Sequence, residues 1–272
     1  MTLLNEPNLQ TATRLKRSPE HLLKPLEELT PRSVSLISNR GARFERGGQT
    51  YELPRYLFLG PRGGDEPFRV GIFAGIHGDE PEGTHALVSF LRHLEEQPRL
   101  ATGYCLFAYP ACNPTGLEDR TRHARGGEDL NREFWQGTRE PEVKLLESEL
   151  VAHAFHGIIS LHTDDTSHGF YGFARGAMLT RHLIEPALRA AEEYLPRNGN
   201  ERIDGFDARN GVVRGSYEGM LSAPPKVRPR PFEITLETPK DAPAYLKEAA
   251  LVAALGSILG SYREFIAYAP NL

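Results

Sequence analysis

Two histidines and one carboxylate stand where a single metal ion would need them. His77-Gly78-Asp79-Glu80 sets an imidazole and a carboxylate three residues apart, at a point where an apolar run gives way to a helical pattern. Across a strand-to-helix turn, that spacing lets both side chains reach one ion. Taken alone the motif has a second reading: a helix N-terminus at which Glu80 and Glu82 complement the macrodipole. His162 supplies what the pair lacks. It closes the short apolar run Gly157–His162 (GIISLH) and precedes Thr163, Asp164 and Asp165, polar residues able to orient an imidazole from behind. A catalytic zinc site takes three protein ligands and keeps a fourth position for water, and two histidines with one glutamate fit that description. The sequence has no HExxH, so it is not that class of zinc protease.

The segment Asn113–Phe134 (NPTGLEDRTRHARGGEDLNREF) is long, polar and dense in arginine. Its plain reading is a solvated surface loop, but a loop of this length inside a compact domain is uncommon unless it is functional. Arginine forks suit carboxylates, two parallel hydrogen bonds at a time. Asp129-Leu130-Asn131-Arg132 puts an acceptor, an amide and a guanidinium within one short stretch, as the anionic end of a substrate would require. Near the C-terminus, FEITLETP carries Glu233 and Glu237. Both fall on one face of a strand, so alternation does not choose between them. Glu237 lies nearer the carboxyl end, where it could take a proton from a metal-activated water.

These residues need elements to position them. Arg55–Gly60, Phe68–Ile76, Tyr104–Cys112, Gly157–His162 and Phe232–Thr238 read as strands, with a further short one at Phe170–Phe173. The nearly continuous apolar runs are those of strands buried on both faces. Helical spacing follows Pro81 through Leu87, Phe90, Leu91 and Leu94, and recurs over Glu140–Ala154, Leu179–Tyr194 and Ala242–Ile266, with a short helix near His21–Leu29. Pro61–Pro67 is a turn, and residues 195–230, rich in Gly, Pro, Arg and Asn, read as loop with short strands. Strands alternating with helices predict an α/β fold: a mixed, mostly parallel central sheet with helices on both faces. Residues 1–45 read as a peripheral segment and 46–272 as the domain that carries the site. Ligands of such sheets bind at the carboxyl ends of strands. His77, Asn113, His162 and Glu237 each fall at or just past such an end.

Composition narrows the classes. The chain has 272 residues, 39% of them apolar, which suits one large domain or a domain plus a tail. A formal charge of −4 makes nucleic acid an unexpected partner. The two cysteines, Cys105 and Cys112, read as small core residues; on one extended strand they would face opposite sides and could not pair. There is no CxxC, and this usage fits a reducing compartment. The N-terminus lacks the apolar region of a secretory signal, and no apolar run reaches the ~18 residues of a membrane span. The expectation is a soluble, cytoplasmic protein without a membrane or nucleic-acid partner. No P-loop or dinucleotide fingerprint occurs. GSYEG carries Tyr217 where a serine-hydrolase elbow needs serine.

HGDE, NPTG, DLNR, SLHT and LETP, in this order, resemble the zinc metallocarboxypeptidase superfamily. It includes digestive carboxypeptidases, bacterial murein-peptide amidases and the succinylglutamate desuccinylase/aspartoacylase branch. The resemblance runs from about Phe68 to the C-terminus. It implies one zinc ion per chain, held by His77, Glu80 and His162, with Asp129 behind the first histidine. It further implies that Asn131 and Arg132 hold a substrate carboxylate, that Arg122 polarises the scissile carbonyl, and that Glu237 is the catalytic carboxylate. Arg120 and Arg125 lie close to Arg122 in sequence. NPTG and DLNREF depart from the commoner NPDG and DLNRNF without touching a ligand. The tyrosine that often closes over substrate is Tyr217 or Tyr171, or either packs structurally. The implied activity is hydrolysis of an amide or peptide bond beside a carboxylate in a small peptide, of carboxypeptidase or murein-amidase type. The alternative substrate is an N-acyl amino acid, as in the desuccinylase branch. That branch typically carries an extra β domain after the glutamate, whereas little beyond one helical pattern follows Glu237 here. A zinc- or peptide-binding module without catalysis is the reading from another class, and the retained Glu237, Arg122 and histidines argue against it.

Overall fold

The computed structural model describes residues 19–39, 41–64 and 66–268. Its first half runs α1 (Pro19–Leu29), β1 (Leu36–Asn39), β2 (Arg43–Arg46), β3 (Gln49–Glu52), β4 (Arg55–Leu59), β5 (Phe68–Ala74), α2 (Pro81–Glu96), β6 (Tyr104–Tyr109) and α3 (Pro114–Asp119). The second half runs α4 (Pro141–His153), β7 (Gly157–Asp164), β8 (Tyr171–Gly176), α5 (Thr180–Ala191), β9 (Arg202–Ile203), β10 (Phe206–Arg209), β11 (Val212–Val213), β12 (Phe232–Pro239) and α6 (Ala244–Tyr268).

Among the described residues, ten strands form one sheet in the order β1-β4-β6-β5-β7-β12-β8-β11-β10-β9. The expected parallel character holds at its centre, where β6, β5, β7 and β12 run the same way. Outside that centre β4 and β8 pair antiparallel to their inner neighbours, so the sheet is mixed. Side-chain alternation sorts the central strands cleanly. Val70, Ile72, Leu106, Ile159, Leu161, Ile234 and Leu236 point to one face, where they pack with buried residues of α1, α2, α5 and α6. Phe73, Phe107, Tyr109 and Ile158 point to the other, against Val143, Leu146 and Leu150 of α4 and Leu130 and Phe134 of the loop before it. Ser160, His162, Glu233 and Glu237 share the parity of this second face.

Helix α6 is by length and composition apolar enough to cross a membrane. Here Ala250, Leu251, Ala254, Leu255, Ile258 and Leu259 are buried in the core at helical spacing, the role of a core helix.

Three expectations change. Residues 1–18 of the segment read as peripheral lie outside the described residues. From Pro19 onward, however, that segment belongs to the main body: Leu23, Leu26 and Leu36 join the core, and β1 pairs with β4. The boundary at residue 46 falls inside the hairpin β2–β3, whose turn glycines Gly47 and Gly48 have φ of 59° and 77°, as a two-residue hairpin turn requires. The long arginine-rich loop contains α3. Asn113 accepts the Gly116 N–H at 2.8 Å and Pro114 follows it, the N-cap and first-turn proline that open a helix. Finally, β6 stops at Tyr109, so Cys112 is not on Cys105's strand; both thiols are buried in the same cluster and free.

Candidate metal centre and active-site cleft

Strand β5 delivers His77. After Ala74 the chain turns at Gly75, with φ of 65°, and lays the HGDE turn against α3. Gly78 touches α3 backbone to backbone: a Cβ there would sit 1.9 Å from the carbonyl carbon of Gly116. Glu80 ends this turn, and Pro81 starts α2. His162 comes from the carboxyl half of β7.

These three residues meet. One ligand atom from each lies within 4.8 Å of the others. His77 Nδ1 is 2.7 Å from Glu80 Oε1, and His162 Nδ1 is 3.1 Å from Glu80 Oε2 and 3.3 Å from His77 Nδ1. The remaining ring nitrogens face other partners: His77 Nε2 is 3.1 Å from Asp129 Oδ1, and His162 Nε2 is 2.9 Å from Ser160 Oγ. A neutral imidazole donating through Nε2 turns its Nδ1 lone pair inward, and both rings are placed to do so. His77, Glu80 and His162 are 3%, 6% and 1% exposed, so these groups meet almost without water.

Burial pushes the His77 pKa down, but the charge of Glu80 and the hydrogen bond of Asp129 more than offset it and lift it to about 9. Burial likewise opposes ionisation of Glu80, and the two histidines outweigh it, holding the carboxyl well below its usual range. His162 is pushed down by burial, with Glu80 opposing. Two inward nitrogens and a carboxylate thus form a pocket that stabilises positive charge. That donor set and its convergence fit a divalent cation.

Asp129 carries more than His77. Its Oδ1 also accepts the Asn131 N–H at 3.0 Å, and its Oδ2 accepts Arg122 Nε at 3.0 Å. Burial raises its pKa, and His77, Arg122 and Arg132 together bring it well below the usual range. Arg122 reaches on, its Nη1 lying 3.6 Å from Glu80 Oε1. The amide of fully buried Asn113 ties two parts of the site together, donating to the Ile76 carbonyl at 3.1 Å and the Arg122 carbonyl at 3.5 Å. Arg125 is engaged elsewhere, clamped by Asp119 at 2.7 Å and Glu118 at 2.9 Å. Of the arginines in this loop, Arg122 and Arg132 line the cleft.

That cleft is about 320 Å³ and is lined by all three candidate ligands, Arg122, Asn131, Arg132, Tyr171, Tyr217 and Glu237. β12 lies between β7 and β8, in a register that sets Glu237 beside His162 on one side and Tyr171 on the other. The Glu237 carboxyl is pushed well up by burial and by the charges of Glu80, Asp164 and Asp204, with Arg122 opposing. Glu233 is 3% exposed and paired with Arg175 and Arg230, each at 3.2 Å. At ~3.3 Å per residue it sits some ~13 Å back along the strand. Asn131 Oδ1 accepts the Leu221 N–H at 2.9 Å. The Arg132 guanidinium lies 4.1 Å over the Tyr217 ring, whose hydroxyl donates to Asp204 Oδ1 at 2.9 Å. Tyr171 donates to Asp164 Oδ2 at 2.9 Å, so both candidate tyrosines are in the cleft.

Sequence reasoning did not find Ser160, although two residues before His162 on one strand is the same face. It left Asp164, Asp204, Phe173 and Met220 unranked or unnamed, and these line the cleft too. Ser167 is buried, bonded to Gly169 and Asn198. A larger groove of about 800 Å³ lies between α1 and the β2–β3 hairpin, lined by neither histidine nor cysteine.

A mixed sheet with a parallel centre and a buried His-Glu-His trio at its carboxyl edge defines an α/β protein with a candidate metal centre. The profile of the succinylglutamate desuccinylase/aspartoacylase catalytic domain matches residues 68–198. A candidate metallopeptidase from Shewanella denitrificans OS217 has a similar structure, with a TM-score of 0.74, 24% identity and 89% of each chain covered. A metallo-carboxypeptidase from Burkholderia cenocepacia gives a TM-score of 0.64 at 18% identity over 92% of this chain and 70% of that one. Bovine thrombin-activatable fibrinolysis inhibitor, in complex with tick carboxypeptidase inhibitor, gives 0.63 at 17% identity over 94% and 98%. No curated protein matches the chain by sequence. The profile matches a little under half of the chain, and the solved structures share its fold.

Proposed function

We propose that this chain is a zinc-dependent hydrolase, with one zinc ion per chain, that cleaves an amide or peptide bond beside a carboxylate in a small peptide. One observation carries the reading: Glu237, Arg122 and Arg132 face the same 320 Å³ cleft as the buried trio His77, Glu80 and His162. A zinc ion held by that trio supplies Lewis acidity, polarising a carbonyl and acidifying a water.

The chain's own residues do the rest. Arg132 and Asn131 orient the substrate through its carboxylate, which fixes the scissile carbonyl against the metal centre. Arg122, anchored by Asp129, presents its remaining N–H groups to the developing oxyanion. Glu237 accepts the proton of the attacking water and passes it to the leaving nitrogen. A raised carboxyl pKa suits both halves of that exchange, because the group must take a proton and hold it until the amine departs. Tyr217, stacked on Arg132, narrows the mouth above the substrate's anionic end.

The second reading is deacylation of an N-acyl amino acid, favoured by the profile match over residues 68–198. Zinc-loaded protein tested on short peptides and N-acyl amino acids decides. Turnover of peptides, lost in Glu237→Gln, is the expected result. Turnover confined to N-acyl amino acids supports the second reading, and turnover of neither by zinc-replete protein overturns both.

A further inference from the structure

We infer that the cleft selects a substrate whose leaving residue bears a cationic side chain, an aliphatic stem ending in an ammonium group, with Asp204 and Asp164 as the selecting residues. This rests on the hydrolase reading and deepens it.

The inference comes from what remains once each charged group of the cleft has a task. Glu80 faces the two histidines, Arg122 is anchored by Asp129, Glu237 is assigned to proton transfer, and Arg132 to the substrate carboxylate. Asp164, Asp204 and the exposed Asp165 are left over, and of these Asp164 and Asp204 are fixed by hydrogen bonds. Each is held in place by neutral donors only. Tyr171 bonds Asp164 Oδ2 at 2.9 Å, and Thr166 bonds its Oδ1 through N–H at 2.7 Å and hydroxyl at 2.8 Å. Tyr217 bonds Asp204 Oδ1 at 2.9 Å. Neither aspartate belongs to an ion pair among the described residues. They come from different elements, the end of β7 and the turn between β9 and β10, yet line the same cleft.

A second feature points to the shape of the ligand. Beside the two carboxylates the lining includes Phe173 and Met220, 1% and 5% exposed, which belong to an apolar cluster with Ile203 and Val213. An apolar floor ending in carboxylates suits a methylene stem with a charged head. Tyr217 also sets the spacing: Arg132 lies over its ring and Asp204 holds its hydroxyl. A cation for the substrate carboxylate and an anion for an ammonium group are thus a single phenol apart. Asp204 is solvent-exposed, so the expected preference is about tenfold rather than the thousandfold of a sealed pocket.

Short acylated peptides ending in lysine or norleucine, which share the stem but not the charge, test the idea with zinc-loaded protein. The expected result is kcat/KM about tenfold or more higher for lysine at low ionic strength, carried by KM and shrinking with added salt. Asp204→Asn with Asp164→Asn should bring the ratio of the two substrates close to one, at unchanged zinc content. A norleucine substrate equal to or better than lysine in the wild-type protein overturns the inference, as does a preference that survives in the double variant. Calorimetry with Nα-acetyl-lysine and Nα-acetyl-norleucine separates the two claims. Absent turnover with tighter binding of the lysine compound refutes the hydrolase reading alone, and equal binding refutes the selection.

Discussion

In the proposed function, Asp129 anchors metal binding and catalysis together, and Asp129→Asn probes that directly. The substitution keeps size and shape. Its Oδ1 can still accept from His77 Nε2 and from the Asn131 N–H, now 3.1 and 3.0 Å away. The other oxygen becomes an NH2 facing Arg122 Nε, where a 3.0 Å charge-assisted bond stood. Rotating the amide restores the arginine's acceptor only by turning a donor toward His77. Either way at least one of the three bonds is lost, and the negative charge that strengthens His77 as a ligand is gone. Replacing the outer partner of a ligating histidine typically costs 10–100-fold in metal affinity, which at ~1.4 kcal/mol per tenfold is about 1.4–2.8 kcal/mol. Zinc affinity measured by competition with a chromophoric chelator should fall within that range, and kcat should drop further at saturating zinc because Arg122 loses its brace. Affinity within twofold of wild type, together with unchanged kcat, would refute this linkage.

Other outcomes follow from the same geometry. Arg122→Ala should lower kcat/KM about 10²–10³-fold, the usual cost of one oxyanion donor, whereas Arg125→Ala should leave turnover near wild type, as steady-state kinetics on one substrate can show. Glu237→Gln should stabilise the metal-free protein. A carboxyl whose folded pKa is raised costs stability at pH values above its unfolded value of about 4.3, so the gain in denaturation midpoint should be present at pH 7 with chelator and vanish near pH 4. Glu233→Gln should instead destabilise, because it leaves Arg175 short of its partner. Gly78→Ala should weaken zinc binding and lower thermal stability together. Its Cβ cannot fit 1.9 Å from the Gly116 backbone, and overpacking of this kind costs about 1–3 kcal/mol.

The parts of the fold that were legible in the sequence are those with one dominant physical signal. Phe68–Ala74 and Gly157–Asp164 are buried on both faces because helices cover both sides of the sheet centre, and their apolar runs read as buried strands without a tertiary argument. His77, Glu80 and His162 were legible because the two histidines stand near the carboxyl ends of strands and Glu80 just before a helix, positions fixed by local pattern. What stayed illegible depends on contacts distant in sequence. Nothing local shows that β1 pairs with β4, since its burial alternates poorly and Leu36 is its one buried residue. The loop helix α3 was hidden because six residues carry too little periodicity, and its signal lay in Asn113-Pro114. Glu233 and Glu237 share a face, and only the arginines that cross from Arg175 and Arg230 separate the structural carboxylate from the cleft one. Ordering Arg120, Arg122 and Arg125 required knowing that Arg125 turns away to Asp119.

Anomalous diffraction at the zinc absorption edge, from crystals of the zinc-loaded protein, bears most directly on the shared metal centre. One strong peak per chain is expected, about 2.0–2.2 Å from His77 Nδ1, His162 Nδ1 and a Glu80 oxygen, with a fourth position left to solvent. A peak elsewhere, a fourth protein ligand closing the shell, or no peak from zinc-replete crystals would contradict it.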